Sequence, residues 1–179
     1  MSELYGPEFF QGRSDTVILS ASVVVPHIIT MLAPRSVLDV GCGKGEWMDV
    51  FAEHGVEVFG VDIAAPEGAQ YLHQDLNWPL QFDRTFDIAL SLEVGEHLPQ
   101  AAARTFVYSM TAHSNTVVFS AAVPGQEGKG HINCQPHDYW HQMFDLQGFA
   151  CLDAFRPLIA NDWRVSPWYR DNIFLYVRR

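Results

Sequence analysis

The sequence predicts an α/β domain with a parallel or mostly parallel β-sheet that helices cover on both faces. Seven short apolar runs alternate with helix-like segments along the chain, which is the pattern of strands joined by crossover helices. The chain has 179 residues, of which 48% are hydrophobic, and this suffices for one domain with its own core. No internal repeat or low-complexity tract marks a second unit, so residues 1–179 are assigned to a single domain.

The predicted strands are the apolar runs that turn residues bound on each side. In chain order they cover residues 36–40, 56–61, 70–73, 86–92, 116–122, 150–155 and 173–177. A helix over residues 45–54 is predicted to end at Gly55. Pro99 and Pro136 each suit the first turn of a later helix, where the missing N–H is tolerated, and Gly148 closes the second of these helices.

Charge and cysteine content restrict the partners and the compartment. Lys and Arg number 11 and Asp and Glu number 21, so the formal net charge is −10, which repels a nucleic-acid backbone. Nucleic acid is therefore not expected as a partner. The three cysteines are odd in number and form no C-x-x-C pair, and residues 1–10 lack the basic start and apolar core of a signal peptide. These features predict a cytoplasmic location.

Residues 17–32 form an apolar run that approaches the length of a membrane span, about 20 residues. Polar residues and a proline interrupt it at Ser20, Ser22, Pro26, His27 and Thr30. We interpret residues 1–34 as a helical cover that flanks the sheet, with no membrane partner. Membrane insertion is the alternative interpretation.

A glycine-rich turn follows the first predicted strand. Residues 41–45 read Gly-Cys-Gly-Lys-Gly directly before a helix, and glycine lets the backbone approach a ligand closely. Asp62 ends the next strand, where a carboxylate can accept hydrogen bonds from both ribose hydroxyls of an adenosine ligand. A dinucleotide-binding fingerprint would need a third glycine at position 46, where the chain has Glu46. This mismatch argues against a nicotinamide-dependent oxidoreductase, which is kept as the alternative.

Acidic side chains also follow the third and fourth predicted strands. Asp75 can accept a hydrogen bond from an adenine amino group, or it can simply cap a turn. Residues 93–98 read Glu-Val-Gly-Glu-His-Leu, and the strand before them delivers Glu93, Glu96 and His97 to the same edge of the sheet. The sequence therefore places several polar groups around one adenosine-type site.

Together these segments resemble the class I S-adenosylmethionine-dependent methyltransferases of the small-molecule type. The resemblance runs from about residue 5 to residue 177 and rests on the glycine loop at 37–45, on Asp62, on Asp75 and on the E-x-x-E-H-L segment at 93–98. It implies a seven-stranded sheet whose last strand is antiparallel. It also implies S-adenosylmethionine across the carboxyl ends of the first and fourth strands, with S-adenosylhomocysteine as product.

The resemblance implies a set of cofactor-binding residues as well. Asp39 would orient the loop and approach the ammonium of the methionine moiety, while Ile63 and Leu76 would flank the adenine. Cys42 and Trp47 lie beside the loop, where packing is the common role of both residue types. The candidates are Asp39, Gly41, Cys42, Gly43, Gly45, Trp47, Asp62, Ile63, Asp75, Leu76, Leu92, Glu93 and His97.

The acceptor side is predicted to follow the fifth strand. Residues 125–133 contain three glycines, which makes a loop able to close over a substrate. His131 is the candidate base with Asn133 orienting it, and His137 is a second candidate. The Gly-His-Ile-Asn run, followed by a Tyr-Trp pair, resembles methyltransferases of polysaccharide and secondary-metabolite pathways. We therefore expect O-methylation of a hydroxyl on a sugar, a glycan precursor or another polar small metabolite.

Several alternatives stay open at this level. The aromatic stretch at 156–172 is either an insertion on the substrate side or a lid that completes the core. No tight ligand spacing is present, so no metal is assigned, although a divalent ion that acidifies the hydroxyl is conceivable. A cofactor-binding regulatory module without catalysis also fits the fold. The identity of the acceptor and the oligomeric state do not follow from the sequence.

Overall fold

The computed structural model describes residues 14–179. The predictions made for residues 1–13 lie outside the described residues. The helices are α1 Ser14–Leu32, α2 Glu46–Glu53, α3 Ala103–His113, α4 His137–Asp145, α5 Arg156–Ile159 and α6 Pro167–Asn172. The strands are β1 Ser36–Val40, β2 Glu57–Asp62, β3 Tyr71–His73, β4 Ile88–Leu92, β5 Thr116–Ser120, β6 Phe149–Leu152 and β7 Phe174–Arg178.

The seven strands form one sheet in the order β3-β2-β1-β4-β5-β7-β6. The first five strands pair in parallel, and β7 runs antiparallel between β5 and β6. This confirms the predicted α/β class, the seven strands and the antiparallel last strand. The strand order reverses between β1 and β4, so the loops after these two strands diverge and leave a crevice at their carboxyl ends.

Both faces of the sheet are covered, because successive strand residues point to opposite sides. On one face, Leu38 and Val40 of β1 pack in a core with α3 and α4, which contribute Phe106 and Trp140. On the other face, Val37 packs in a second core with residues of α1, α2, α5 and α6. All five residues of β1 and of β4 are buried, which explains why these strands show as uninterrupted apolar runs.

Helix α1 is the one helix within residues 14–179 that is long and apolar enough to cross a membrane, by length and composition. One third of its 18-residue apolar window, 33%, is buried. Ala21, Val24, Val25 and Ile28 are fully buried and pack in the core that α1 shares with the sheet and α2. This packing is what the sequence-based interpretation of a helical cover requires.

Several predicted boundaries differ from the observed ones by a few residues. The predicted fifth and sixth strands run past the observed ends at Ser120 and Leu152, although Ala122 and Phe155 beyond them are fully buried. An apolar run indicates that a segment is buried, whereas a β-strand also requires backbone hydrogen bonds to a neighbouring strand. Pro99 and Pro136 lie just before the predicted first turns, as N-cap residues. Helix α4 ends at Asp145, and Gly148 follows three residues later with a positive φ.

Candidate active site

A cavity of about 310 Å³ opens at the carboxyl ends of β1 and β4, at the lower end of the size range of small-molecule sites. It contains most of the residues that the sequence analysis nominated. The nominated residues that line it are Gly41, Gly43, Asp62, Ile63, Asp75, Leu76, Leu92, Glu93, His97 and His131. The structure therefore brings two glycines of the loop, the acids Asp62, Asp75 and Glu93, and two of the three nominated histidines to one place.

The glycine loop lies against the chain that follows β4. Gly41 has a φ of 89°, and a Cβ at this position would come within 2.6 Å of Val94 Cγ1. The N–H groups of Gly41 and Cys42 both donate to the carbonyl oxygen of Val61, at 2.7 and 3.2 Å. Only glycine satisfies both the backbone conformation and this close approach.

Asp62 holds the glycine loop and faces the cavity at the same time. Its Oδ2 accepts a hydrogen bond from the Gly43 N–H at 3.0 Å, and its Oδ1 accepts one from the Ala64 N–H at 2.8 Å. Burial raises the pKa of this carboxyl above its usual value, while the backbone hydrogen bonds oppose that shift. Each carboxylate oxygen can accept a second hydrogen bond, so the site fits the two ribose hydroxyls of an adenosine ligand.

Asp75 caps a turn, which is the simpler role considered from the sequence, and it also lines the cavity. Its Oδ1 accepts hydrogen bonds from the Asn77 N–H at 2.9 Å and from the Asn77 side-chain amide at 2.7 Å, which forms an Asx turn. Ile63 and Leu76 also line the cavity. A carboxylate and two aliphatic side chains are the groups that suit the amino edge and the faces of an adenine ring.

Four nominated cofactor residues do not line the cavity: Asp39, Cys42, Gly45 and Trp47. Cys42 is buried against Met48 and Ala65, and burial raises the pKa of its thiol far above the usual value. Trp47 packs edge-on against Tyr169, with ring centroids 5.1 Å apart. Gly45 has a φ of 93° at the start of α2, where a Cβ would meet the Tyr71 hydroxyl at 2.5 Å.

Asp39 is 3% exposed. Burial raises its pKa well above the usual value, and the Asp62 and Glu46 carboxylates add to the shift. Its Oδ2 has no hydrogen-bond partner within residues 14–179, so the predicted contact that orients the loop is not made through this atom. The loop is instead held by Val61 and Asp62. An approaching ammonium group would stabilise the ionised form of Asp39.

Glu93 is the most heavily constrained polar residue of the cavity. Its φ is +57°, a left-handed conformation that non-glycine residues rarely adopt. Its carboxylate accepts a hydrogen bond from Gln126 Nε2 at 2.7 Å and lies 3.5 Å from Asn172 Nδ2. Burial outweighs these hydrogen bonds and raises the pKa of Glu93 to about 7. The network joins the loop after β4 to the loop after β5 and to α6.

This pKa predicts a distinct pH dependence of stability. The carboxyl of Glu93 ionises near pH 4.5 when exposed and near 7 when folded, so the folded state binds the extra proton between these values. The free energy of unfolding therefore falls as the pH rises through this window, by at most about 1.4 kcal/mol per pH unit. Glu93→Gln is expected to flatten that part of the profile in urea unfolding. The exposed Glu53→Gln serves as control, and equal slopes for wild type and Glu93→Gln would contradict the assignment.

Glu96, His97 and His131 lie close together in the lining of the cavity. One ligand atom from each lies within 4.8 Å of the others, and Glu96 Oε1 lies 3.9 Å from His131 Nε2. His131 Nδ1 lies 3.0 Å from the Gln126 carbonyl oxygen, and His97 Nδ1 lies 3.2 Å from that of Gly130. A ring nitrogen next to a carbonyl acts as the donor, so in each neutral ring Nε2 carries the lone pair.

The predicted roles of Asn133 and His137 need correction. Asn133 is buried, its Nδ2 donates to the Gly95 carbonyl oxygen at 3.4 Å, and its Oδ1 accepts from Gln135. It therefore positions the loop rather than His131, whose ring the Gln126 carbonyl orients. His137 does not line the cavity, and its Nε2 lies 3.0 Å from Asn172 Oδ1. It reaches the site only through Asn172.

Other cavity residues were not nominated from the sequence. Thr16 and Val17 come from α1, Trp168 and Tyr169 from α6, and the rest from the loops after β3, β4 and β5. The many aromatic residues at 156–172 were the sequence signal that could have pointed to α6. In the structure this stretch contains two short helices, and Trp168 and Tyr169 of α6 line the cavity. No local pattern marks Thr16 and Val17, because only the docking of α1 brings its first turn there.

Comparison with known proteins gives a consistent result. A family model described as a methyltransferase domain matches residues 24–154. A ubiquinone biosynthesis O-methyltransferase of Pseudomonas entomophila is 32% identical over 50% of this chain and 45% of its own length. The chain spans less than half of the length of such curated relatives, 44% and 45% for the first two.

Solved structures share the whole fold. The sugar N-methyltransferase KedS8 from Streptoalloteichus superposes with a TM-score of 0.70 at 19% identity, over 96% of this chain and 92% of that one. The magnesium protoporphyrin IX methyltransferase of Synechocystis, solved with bound S-adenosylmethionine, gives a TM-score of 0.62 at 20% identity, over 94% and 80% of the two chains. With the family match over most of the sequence, the chain belongs to the methyltransferase domain family and is a class I S-adenosylmethionine-dependent methyltransferase domain.

Proposed function

We propose that the chain methylates a hydroxyl group of a polar small molecule, such as a sugar or a glycan precursor, with His131 accepting the hydroxyl proton. One observation carries this proposal. The Nε2 lone pair of His131 lies at the same cavity as Asp62 and the glycine loop, which fit an adenosine ligand. A neutral hydroxyl needs a proton acceptor in order to attack carbon, and a histidine with an oriented ring provides one.

S-adenosylmethionine, when bound, supplies an electrophilic methyl group whose carbon–sulfur bond breaks as the oxygen–carbon bond forms, and S-adenosylhomocysteine is left. Asp62 and Asp75 would hold the ribose and adenine ends, and the glycine loop would let the backbone approach the ligand. His131 Nε2 takes the acceptor proton, while the Gln126 carbonyl holds the Nδ1–H and so keeps the ring in the correct tautomer. Trp168 and Tyr169 contribute aromatic surface to the cavity lining.

Three features support a small polar acceptor. The curated relative from Pseudomonas is named an O-methyltransferase, and a structurally similar protein is named a sugar N-methyltransferase. Gln126 and Glu127 add polar groups beside the aromatic pair on the cavity wall. The chain carries a net charge of −10, which disfavours nucleic acid. The three cysteines are free thiols, which supports a reducing, cytoplasmic location as part of the same proposal.

The decisive measurement is methyl transfer to matched hydroxyl and amine acceptors, followed by mass spectrometry with a methyl-deuterated cofactor. We expect His131→Ala to lower kcat/KM for the hydroxyl acceptor roughly 100-fold, and to remove the ionisation of the base from the pH profile of the rate. His54→Gln, at the exposed end of α2, is the control. An unchanged pH profile, or transfer to amines alone, would refute the role of His131.

The two competing functions have direct tests. S-adenosylhomocysteine but not NAD should raise the unfolding temperature, because only a ligand that binds the folded state stabilises it. Stabilisation by NAD would favour an oxidoreductase. Stoichiometric cofactor binding without transfer to any acceptor in a broad metabolite screen would favour a regulatory module.

A further inference from the structure

We propose that Glu96, His97 and His131 bind one divalent first-row transition-metal ion, such as Zn²⁺, Mn²⁺ or Co²⁺, at the acceptor end of the cavity. Their ligand atoms all lie within 4.8 Å of one another. Two atoms that each lie about 2.1 Å from one ion are about 3 to 4 Å apart. Side-chain movements of about an ångström therefore bring all three into coordination distance.

The two histidine rings already have the orientation that a metal site requires. Each Nδ1 lies next to a backbone carbonyl of the same loop, Gln126 for His131 and Gly130 for His97. Metal-binding histidines are oriented in this way, because donation from one ring nitrogen fixes the tautomer and leaves the other nitrogen as the ligand. The ring centroids are 5.0 Å apart in an edge arrangement. In each ring the hydrogen bond at Nδ1 therefore leaves Nε2 as the atom that is able to bind an ion.

The third group of the proposed site is a buried carboxylate. Glu96 is fully buried, and its Oε1 lies 3.9 Å from His131 Nε2. A carboxylate beside two imidazole rings is a ligand set that binds first-row transition ions.

The backbone holds the two halves of the proposed site together. The N–H groups of Ile132 and Asn133 both donate to the carbonyl oxygen of Glu96, at 2.9 and 3.0 Å. These bonds join the loop that carries His131 to the turn that carries Glu96 and His97. Asn133 thus has a positioning role in this site, in place of the one predicted from the sequence.

Two imidazoles and a carboxylate are borderline ligands that suit first-row transition ions better than Ca²⁺ or Mg²⁺. Three protein ligands leave coordination positions open toward the cavity, as in catalytic sites. A hydroxyl bound at such a position ionises more readily, and its proton passes to water. This inference rests on the proposed function and changes one part of it, because His131 becomes a ligand and the ion replaces the ring as the group that promotes ionisation.

The test is calorimetric titration of the chelator-treated protein with ZnCl₂ and MnCl₂, together with the visible absorption of added Co²⁺. We expect one ion per chain, and an affinity lowered at least about 10-fold in His97→Gln, His131→Gln and Glu96→Gln. His54→Gln is the matched control and should bind like wild type. Gly128→Ala is a second kind of variant, because its Cβ would meet the His131 ring and displace a ligand without removing it.

The outcomes separate the metal site from the proposed function. Binding that is lost in the variants, with turnover that falls on chelation and returns with the ion, supports the inference. Absence of stoichiometric binding, or equal binding in the double variant His97→Gln/His131→Gln, overturns it. Turnover that chelation does not change overturns the role of the ion in ionising the hydroxyl. Stoichiometric metal binding without methyl transfer to any hydroxyl supports the site and refutes the proposed function alone.

Discussion

Replacement of Asp62 by alanine is expected to weaken the binding of S-adenosylhomocysteine roughly 1,000-fold, or by about 4 kcal/mol. The carboxylate can accept a hydrogen bond from each ribose hydroxyl, and hydrogen bonds to a charged group contribute about 1.5 to 3 kcal/mol each. The same oxygens hold the N–H groups of Gly43 and Ala64. Loss of the side chain therefore removes ligand contacts and loosens the glycine loop that receives the ligand.

Isothermal titration calorimetry with S-adenosylhomocysteine measures this effect directly. Asp62→Asn separates the two contributions, because the amide keeps the volume of the carboxylate but accepts at only one atom. It should fall between wild type and Asp62→Ala. Asp83→Asn changes an exposed acid away from the cavity and should leave the affinity unchanged. An affinity for Asp62→Ala within about threefold of wild type would show that the adenosine lies elsewhere.

Phe119→Ala is expected to lower the free energy of unfolding by about 3 to 5 kcal/mol. Phe119 lies in β5, is 2% exposed and belongs to the core between the sheet and helices α3 and α4. Its ring lies 5.1 to 6.3 Å from four other aromatic rings: Phe106, Trp140, Phe144 and Tyr176. Truncation would leave a cavity that these large, mutually packed rings fill poorly.

Urea unfolding followed by tryptophan fluorescence gives the size of this loss. Tyr108→Ala is the matched control, because Tyr108 lies on α3 with 51% of its surface exposed. Tyr108→Ala should lower the free energy of unfolding by much less than Phe119→Ala does, since little buried area is removed. A similar loss for both variants would indicate that the core relaxes around the missing ring.

Nine of the thirteen residues nominated for cofactor binding line the cavity, because the signals that mark them are local. Gly41, Gly43 and Asp62 follow two strands that the apolar runs identify, and carboxyl ends of parallel strands meet at one edge. Asp39, Cys42 and Trp47 were nominated because they lie next to or within the loop in the sequence, but they are buried and do not line the cavity. The packing of Cys42 and Trp47 is not local, because Ala65 and Tyr169 reach them from other segments.

The acceptor half was predicted only in part. His131 was identified from a glycine-rich loop with a histidine, but its neighbours Glu96 and His97 come from a different strand end. The predicted pairing of His131 with Asn133 is wrong, because the amide of Asn133 turns to Gly95. His137 is separated from the cavity by Asn172. Which side chains share a loop is visible in the sequence, but which way they point is decided by packing.

The sequence by itself determined the α/β class, the strand count, the glycine loop and the acid at the end of β2, since each depends on local hydrophobic periodicity or on residue type at a strand end. The tertiary structure alone decided the order of the strands, the approach of α1 and α6 to the cavity, and the meeting of Glu96, His97 and His131. The physical reason is that these contacts join segments far apart in the chain. Their geometry depends on how whole helices and loops pack on the sheet, which no short pattern records.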